Sequence, residues 1–143
     1  MRIVRRGNAV WQGGIKDGKG ALSAESGALK SYPYGFASRF EGVPGSNPEE
    51  LLAAAHSGCF TMALALMLGE AGLTATEMNT DAAVTLEKLE TGFTITSVQL
   101  SLVAKIPGVD AETFERIANA AKASCPVSKL FNTKITLQTE LVS

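Results

Sequence analysis

The pattern of apolar and polar positions predicts that the chain opens with a β-meander. Over residues 1–41, Val10 and Trp11 close a first strand, and paired glycines and an aspartate–glycine step mark turns. A later strand is predicted over residues 34–40, just before a glycine-rich connection. This region should therefore form three short consecutive strands.

An apolar stretch after the meander predicts a long helix that ends near Glu70. Asn47 is a suitable N-cap, Pro48 suits the first helical position, and Glu49 and Glu50 favour the positive end of the helix dipole. Alanine, leucine and methionine occupy most of the circumference, so the helix is expected to be buried nearly all round. In so small a chain it must be covered by sheet or by a second subunit, which indicates a dimer.

Strand signals return after this helix. Residues 73–79 are predicted to be a connection, followed by strands over residues 81–89 and 93–105. The step Thr91-Gly92 between these strands is typical of a hairpin turn.

A second helix and a final strand complete the pattern. Asp110 is a suitable N-cap, and Cys125-Pro126 ends the helix because the residue before a proline avoids the helical region. A short helical turn to about residue 131 and a last strand over residues 134–141 follow. The resulting order, βββ–α–ββ–α–β, predicts an α+β fold in a single domain over residues 1–143.

Composition and net charge indicate a globular domain and argue against nucleic acid as a partner. The chain has 143 residues, of which 45% are hydrophobic and 19% charged, enough for one domain with a substantial core. Its net charge of −1 offers no basic field to a phosphate backbone, so no nucleic-acid partner is expected.

The sequence also argues against a secreted or membrane protein. The N-terminal residues are charged but lack the apolar segment of a secretory signal. The apolar run over residues 51–68 is interrupted by His56, Ser57, Gly58 and Thr61, which is typical of a buried helix in a soluble protein. A cytoplasmic location with no membrane partner is therefore expected, and cysteines there are seldom structural disulfides.

The two cysteines, Cys59 and Cys125, occupy different chemical settings. Both could be small apolar core residues. Cys59 lies in the middle of the long helix, where burial raises a thiol pKa and the helix dipole has faded, so its reactivity would require an imported cation. Cys125 lies at the cap of the short helix, where N–H groups favour an anion. Local physics alone therefore ranks Cys125 as the more acidic thiol.

Other polar residues near Cys59 allow further chemistry. His56 precedes Cys59 by three residues, so a Cys–His dyad of a thiol hydrolase or acyltransferase is one hypothesis. The alternative is a histidine satisfied at an interface or lining a pocket rim. One histidine and two distant cysteines do not form the closely spaced ligand pairs of a metal site, so no metal is expected. Arg39, on the predicted strand, could bind a carboxylate while facing a thiolate.

Three stretches of the sequence resemble one known family. RFEG at 39–42, NPEELLAAAHSGCF at 47–60 and CPVS at 125–128 are together similar to the OsmC/Ohr family of thiol-dependent peroxidases. The likeness runs through nearly the whole chain. The stretches AVWQGGIKDGKG, YGFASRFEG and MALALMLGEAG resemble the OsmC branch, osmotically inducible protein C.

The resemblance implies a set of site residues. Cys59 would be the peroxidatic cysteine and Cys125 the resolving cysteine, which reverses the ranking from the local dipole. An arginine–glutamate pair that tunes the site would be Arg39 and Glu49, with Glu50 as the second choice.

The resemblance also implies a reaction and its partners. The expected function is the reduction of organic hydroperoxides to alcohols, in oxidative and osmotic stress defence, through a Cys59 sulfenic acid and a Cys59–Cys125 disulfide. A dithiol, with lipoylated proteins as candidate donors, would reopen the disulfide, and no cofactor is expected. The implied assembly is an OsmC-like intertwined homodimer with active sites at the subunit interface.

Helix geometry links the catalytic hypothesis to the dimer. Glu49 precedes Cys59 by ten residues, and ten helical residues span about 15 Å, so the two side chains of one helix cannot meet. If both serve one site, Glu49 comes from the partner subunit across a twofold axis.

Apolar neighbours, such as Phe36, Phe60, Met62 and Leu66, would favour a hydrocarbon-bearing peroxide, or would simply be core. Two functional alternatives stay open beside the peroxidase: the Cys–His hydrolase and a non-catalytic stress protein.

Overall fold

A three-stranded antiparallel sheet organises the first 51 residues in the computed structural model, which describes residues 1–143 throughout. Strands β1 (Gly7–Gln12), β2 (Lys19–Ala24) and β3 (Tyr32–Tyr34) are neighbours in the sheet in the same order as in the chain. The predicted β-meander is therefore confirmed.

Gly20 leaves room for two aromatic rings to pack against each other on this sheet. The rings of Trp11 and Tyr34 meet edge to face, with their centroids 5.6 Å apart. A Cβ atom on Gly20 would lie 2.4 Å from the Tyr34 ring and 2.8 Å from the Trp11 ring. Any larger residue at this position would force the aromatic pair apart.

The strand predicted over residues 34–40 is wrong, because β3 ends at Tyr34 and residues Phe36–Phe40 form a short helix, α1. The Ser38 hydroxyl closes this turn: it accepts the Gly35 N–H at 3.0 Å and lies 3.1 Å from the Gly35 carbonyl oxygen. Such local side-chain bonds compete with strand pairing. Arg39 consequently lies on a helix and not on a strand.

The long helix, α2, spans Pro48–Glu70 as the sequence predicts. The Asn47 side chain caps it by accepting the Glu50 N–H at 2.8 Å. At the other end, Gly72 adopts a φ of 75°, which lets the chain turn back so that the Leu73 N–H reaches the Leu68 carbonyl.

Within the single chain, α2 is buried along one stripe only, so its expected burial nearly all round would need a second subunit and stays a prediction. The fully buried side chains recur every four residues: His56, Phe60, Leu64 and Leu68. Between them, Met62 is 77% exposed and Leu66 is 65% exposed. The helix is also long and apolar enough to cross a membrane, with 22% of its apolar window buried.

A second three-stranded sheet lies in residues 52–143. Strands β4 (Glu77–Leu89) and β5 (Gly92–Lys105) pair antiparallel, and β6 (Lys134–Val142) pairs parallel with β5. The hairpin turn before Gly92 is confirmed. β4 begins four residues earlier than predicted because residues 77–79 pair fully with residues 103–105, and this pairing outweighs their weak strand propensity.

The helices between β5 and β6 also follow the prediction. Helix α3 spans Ala111–Ser124, and the Asp110 side chain caps it by accepting the Thr113 N–H at 2.8 Å. Helix α4 spans Pro126–Leu130, with Cys125 between the two helices in an extended conformation.

The core of this second unit joins one sheet face to two helices. Alternate residues of β5 point into it, as expected for a strand with one buried face. Together with α2 and α3 they form a cluster of residues that are at most 6% exposed: Phe60, Leu64, Leu68, Val98, Leu100, Leu102, Ala104, Ile106, Phe114, Ile117, Ala118, Ala121 and Cys125.

The contacts of the chain separate into two compact units, Met1–Leu51 and Leu52–Ser143. The single domain over residues 1–143 stays a prediction. The α+β class agrees with the observed order of helices and strands.

Replacing Leu100 by alanine should lower the free energy of unfolding by about 2–5 kcal/mol, because the side chain is fully buried on β5. Leu89→Ala, in the same sheet but 45% exposed, is the matched control and should cost less than about 1 kcal/mol. Urea unfolding followed by circular dichroism measures both changes. Equal losses for the two variants would contradict the position of the core.

Candidate active site

Cys125 begins helix α4 as its N-cap. Its side chain accepts the Ser128 N–H at 3.3 Å, and Pro126 fixes the first helical residue. Cys125 is fully buried within the core cluster. The sequence prediction that this cysteine occupies a helix cap is confirmed.

Cys59, on α2, meets Cys125 at the start of α4. Its thiol forms hydrogen bonds with the Cys125 side chain and with the backbone N–H of Val127. Both cysteines are free thiols. Two thiols that are distant in sequence are therefore neighbours in the fold.

The surroundings of Cys59 make its thiol a weak acid in the single chain. Burial raises its pKa, and the contact with Cys125 raises it further, whereas the Val127 N–H lowers it by stabilising the thiolate. The balance is a raised pKa. This agrees with the expectation that Cys59 has no activating cation on its own helix.

Arg39 and Glu49 form an ion pair within the first unit. Arg39 Nη2 lies 2.6 Å from Glu49 Oε1, and Arg39 Nε lies 3.2 Å from each carboxylate oxygen. The guanidinium is also 5.3 Å from the ring of Phe40. Arg39 therefore pairs with Glu49 and not with Glu50, although it was predicted to lie on a different type of element.

The ion pair fixes one edge of the guanidinium and leaves the rest available. The Arg39 side chain is 36% exposed and the Glu49 side chain 11%. Because Glu49 uses Nε and Nη2, the Nη1 group can donate to a further anion.

His56 is buried and faces Ser128. Its Nε2 lies 2.7 Å from Ser128 Oγ, and its ring packs edge to face against Phe131. Its other ring nitrogen, Nδ1, is buried without a hydrogen-bond partner. His56 thus neither lines a pocket rim nor forms the dyad with Cys59 that one hypothesis required.

Ser128 is the residue of this cluster that sequence reasoning missed. Its hydroxyl oxygen accepts a hydrogen bond from the Cys125 thiol at 3.2 Å. The same oxygen also contacts His56 Nε2. Cys125 is the N-cap of α4 and Ser128 is the third residue of that helix, positions whose side chains often contact each other. This three-residue spacing is the sequence signal that could have revealed the contact. The structure contains no group of three or more His, Cys, Asp or Glu side chains that could hold a metal ion.

Residues 41–140 match the model of the OsmC-like protein family. Peroxiredoxin OsmC of Escherichia coli strain K12 is 53% identical to the chain over 143 residues, which cover 100% of both proteins. These matches confirm the family resemblance.

Solved structures support the same fold. The organic hydroperoxide resistance protein OhrB of Bacillus subtilis superposes with a TM-score of 0.67 at 27% identity, covering 96% of this chain and 98% of that one. An OsmC-like protein from Mycoplasma pneumoniae has a TM-score of 0.77 at 15% identity with full coverage of both chains, which speaks for the fold alone. The predicted OsmC-like α+β fold is confirmed.

The buried histidine should make the protein less stable in mild acid. Burial lowers the pKa of His56, so in mild acid the unfolded chain binds a proton at His56 more readily than the folded chain does. Stability should be fully present above about pH 6.5, the ordinary histidine value, and should fall as the pH drops below it, by at most about 1.4 kcal/mol per pH unit for one proton.

Urea unfolding at several pH values between 5 and 7, on the order of half a unit apart, measures this effect. His56 is the only histidine in the chain, so His56→Gln is the control and should show a flatter profile over this range. Parallel profiles for the two proteins would contradict the buried neutral ring.

Proposed function

The chain belongs to the OsmC-like protein family, and on this premise we propose that it is a thiol peroxidase that reduces organic hydroperoxides to alcohols in stress defence. The contact between the thiols of Cys59 and Cys125 is the observation that carries the proposal. It places a candidate nucleophile beside a second thiol, the pair of groups that disulfide formation requires.

The first step is attack by Cys59. Its thiolate attacks the distal oxygen of the hydroperoxide, the O–O bond breaks, and the alkoxide leaves as the alcohol after taking up a proton. The sulfur is oxidised to a sulfenic acid while the peroxide is reduced. The Val127 N–H, which donates to the Cys59 sulfur, supports the thiolate form.

The second step restores the site. Cys125 condenses with the sulfenic acid, which forms the disulfide and releases water, and an external dithiol then reduces that bond. A lipoylated protein is our candidate donor, and a cytoplasmic location would supply such dithiols. No bound cofactor takes part in this sequence.

Arg39 supplies the cation that Cys59 needs. The pKa of Cys59 is raised within its own chain, so attack at neutral pH requires a positive charge beside the sulfur. The carboxylate of Glu49 holds the guanidinium, and Nη1 is free to face the thiolate. We assign both residues to the partner subunit, because Glu49 lies ten residues before Cys59 on one helix and Arg39 is bonded to Glu49.

The exposed apolar side of α2 supports the homodimer that this assignment needs. Met62 and Leu66 are exposed in the single chain, whereas Phe60 is fully buried in the core. Two copies of α2 packed antiparallel across a twofold axis would cover the exposed residues. The same apolar surroundings would favour a hydrocarbon-bearing peroxide over hydrogen peroxide.

The hydrolase alternative lacks its dyad. His56 uses Nε2 for Ser128, and its Nδ1 has no hydrogen-bond partner, so neither ring nitrogen is bonded to the Cys59 thiol. A non-catalytic stress protein would leave the paired thiols without a use. The peroxidase therefore accounts for more of the described contacts.

One equivalent of cumene hydroperoxide should consume both free thiols of the reduced protein. In Cys125→Ser, one oxidation event should remain, but turnover with dihydrolipoamide should be lost because no resolving thiol is present. Thiol titration and a coupled turnover assay measure the two effects. Two free thiols after peroxide addition would refute the redox function, and full turnover by Cys125→Ser would refute the resolving role.

Mixed dimers test whether Arg39 acts across the interface. Arg39→Ala should lose most of its turnover, and Cys59→Ser should lose all of it. When the two variants are unfolded together and refolded, half of the dimers carry one complete site, so about a quarter of the wild-type turnover should return.

Arg39→Lys, which keeps the charge but not the fork, should recover only part of the rate in unmixed protein. Turnover that stays at zero in the mixture, with mixed dimers verified by mass spectrometry, would place Arg39 in the same chain as the Cys59 that it serves.

A further inference from the structure

A continuous line of hydrogen bonds runs from the two cysteines to His56. The Cys59 thiol lies beside the Cys125 side chain, and this contact raises the pKa of Cys59. The Cys125 thiol in turn donates to Ser128 Oγ at 3.2 Å. The Ser128 hydroxyl, having accepted that bond, can direct its own proton to His56 Nε2 at 2.7 Å.

The hydrogen-bond network assigns the tautomer of the histidine, since Nε2 is the acceptor that the Ser128 hydroxyl faces. If Ser128 donates to Nε2, then Nε2 carries a lone pair and the ring proton resides on Nδ1. Nδ1 is buried with no partner, which in a native structure calls for an explanation beyond packing. A neutral ring whose Nε2 lone pair accepts the last bond of a donor chain is suited to receive a proton.

We propose that His56, acting through Ser128, withdraws the proton of the Cys125 thiol as Cys125 attacks the oxidised Cys59. This role deepens the proposed peroxidase function and rests on it. Ser128 touches the reacting sulfur, whereas His56 tunes the step from behind Ser128.

The step balances as follows. The Cys125 proton passes to Ser128 while the Ser128 proton passes to His56, and the Cys125 sulfur attacks the Cys59 sulfenic sulfur. The S–S bond forms, the S–O bond breaks, and the hydroxide that leaves takes up a proton to become water. His56 then returns its proton through Ser128, the group that Nε2 contacts, for uptake by the leaving hydroxide, so that Cys125 is oxidised, Cys59 is reduced from the sulfenic state, and no further oxidant is needed.

The surroundings keep the ring neutral at working pH. Burial lowers the pKa of His56, and its ring is flanked by the apolar Phe131. The ionisable groups that meet the line of hydrogen bonds are the two thiols, Cys125 at Ser128 and Cys59 at Cys125. The relay should therefore work across neutral and alkaline pH and fail only when His56 is protonated in acid.

The test separates the two chemical steps in one turnover. Reduced full-length protein is mixed with one equivalent of cumene hydroperoxide in a stopped-flow instrument. Trapping with dimedone reports the Cys59 sulfenic acid, and quenched mass spectrometry reports the disulfide. Circular dichroism of every variant verifies folding.

Four variants distinguish a relay from packing. Ser128→Ala should slow disulfide formation by about 10–100-fold, the scale of general-base assistance, with the first oxidation little changed. Ser128→Thr, which restores a hydroxyl, should recover most of the rate. Ser124→Ala removes a neighbouring hydroxyl while leaving the Ser128 hydroxyl that bonds the sulfur, and should behave as wild type. His56→Gln keeps a hydrogen-bonding group near the Nε2 position but no base, and should be as slow as Ser128→Ala.

The pH profile adds a readout that packing alone would not change. Disulfide formation in the wild type should be flat above about pH 6.5 and fall in acid, because neutral His56 is required. In His56→Gln the rate should rise steadily with pH, because hydroxide must then remove the thiol proton.

The possible results lead to different conclusions. Wild-type disulfide kinetics in His56→Gln, or slowing of the first oxidation rather than of the disulfide step, would overturn the relay. Failure of the wild type to form any disulfide would instead overturn the proposed peroxidase.

Discussion

The meeting of α2 with the first turn of α4 is the contact on which the site depends. There the N–H groups of Val127 and Ser128 point at two different sulfurs, those of Cys59 and Cys125. The Cys125-Pro126 step makes this possible, because proline holds Cys125 in the cap conformation at the start of the helix. Cys125 also belongs to the apolar core, so the packing of the core holds its sulfur in place.

The same burial that positions the sulfurs also makes the Cys59 thiol harder to ionise. A thiol held among apolar side chains resists ionisation, and the single N–H from Val127 does not offset this for Cys59. A thiolate at Cys59 therefore needs a positively charged group from outside this buried cluster. The ion pair of Arg39 and Glu49 has the right form, since its carboxylate orients the guanidinium while leaving donors free. In our proposal the apolar face of α2 has a consequence for catalysis, because dimerisation brings this cation to the thiol.

His56 gives the buried cluster a polar end. A histidine among apolar side chains normally satisfies both nitrogens, whereas here one bonds Ser128 and the other bonds nothing. The arrangement costs stability, and it is hard to explain as packing alone. Its contact with Ser128, which in turn contacts Cys125, separates this site from that of a Cys–His hydrolase, and in our proposal it connects His56 with the resolving step.

Local sequence signals predicted most of the secondary structure. The caps Asn47 and Asp110, the break at Pro126 and the hairpin turn before Gly92 are all set by the chemistry of a few adjacent residues, and each is found where expected. The errors fall where one interaction outweighed propensity. Hydrogen bonds of the Ser38 hydroxyl favour the helix α1 where a strand was predicted. Pairing with β5 extends β4 into residues that were predicted to be a connection.

The sequence by itself determined most helices and strands, the family, and the choice of both cysteines as candidate site residues. It could do so because caps, turns and motifs depend on contiguous residues. Only the tertiary structure decided which groups meet: Cys59 with Val127, Arg39 with Glu49, and His56 with Ser128 instead of Cys59. The partner of a side chain depends on how separate elements pack and on which way each helix face turns. Spacing along the chain could place His56 near Cys59 but could not direct its ring nitrogens.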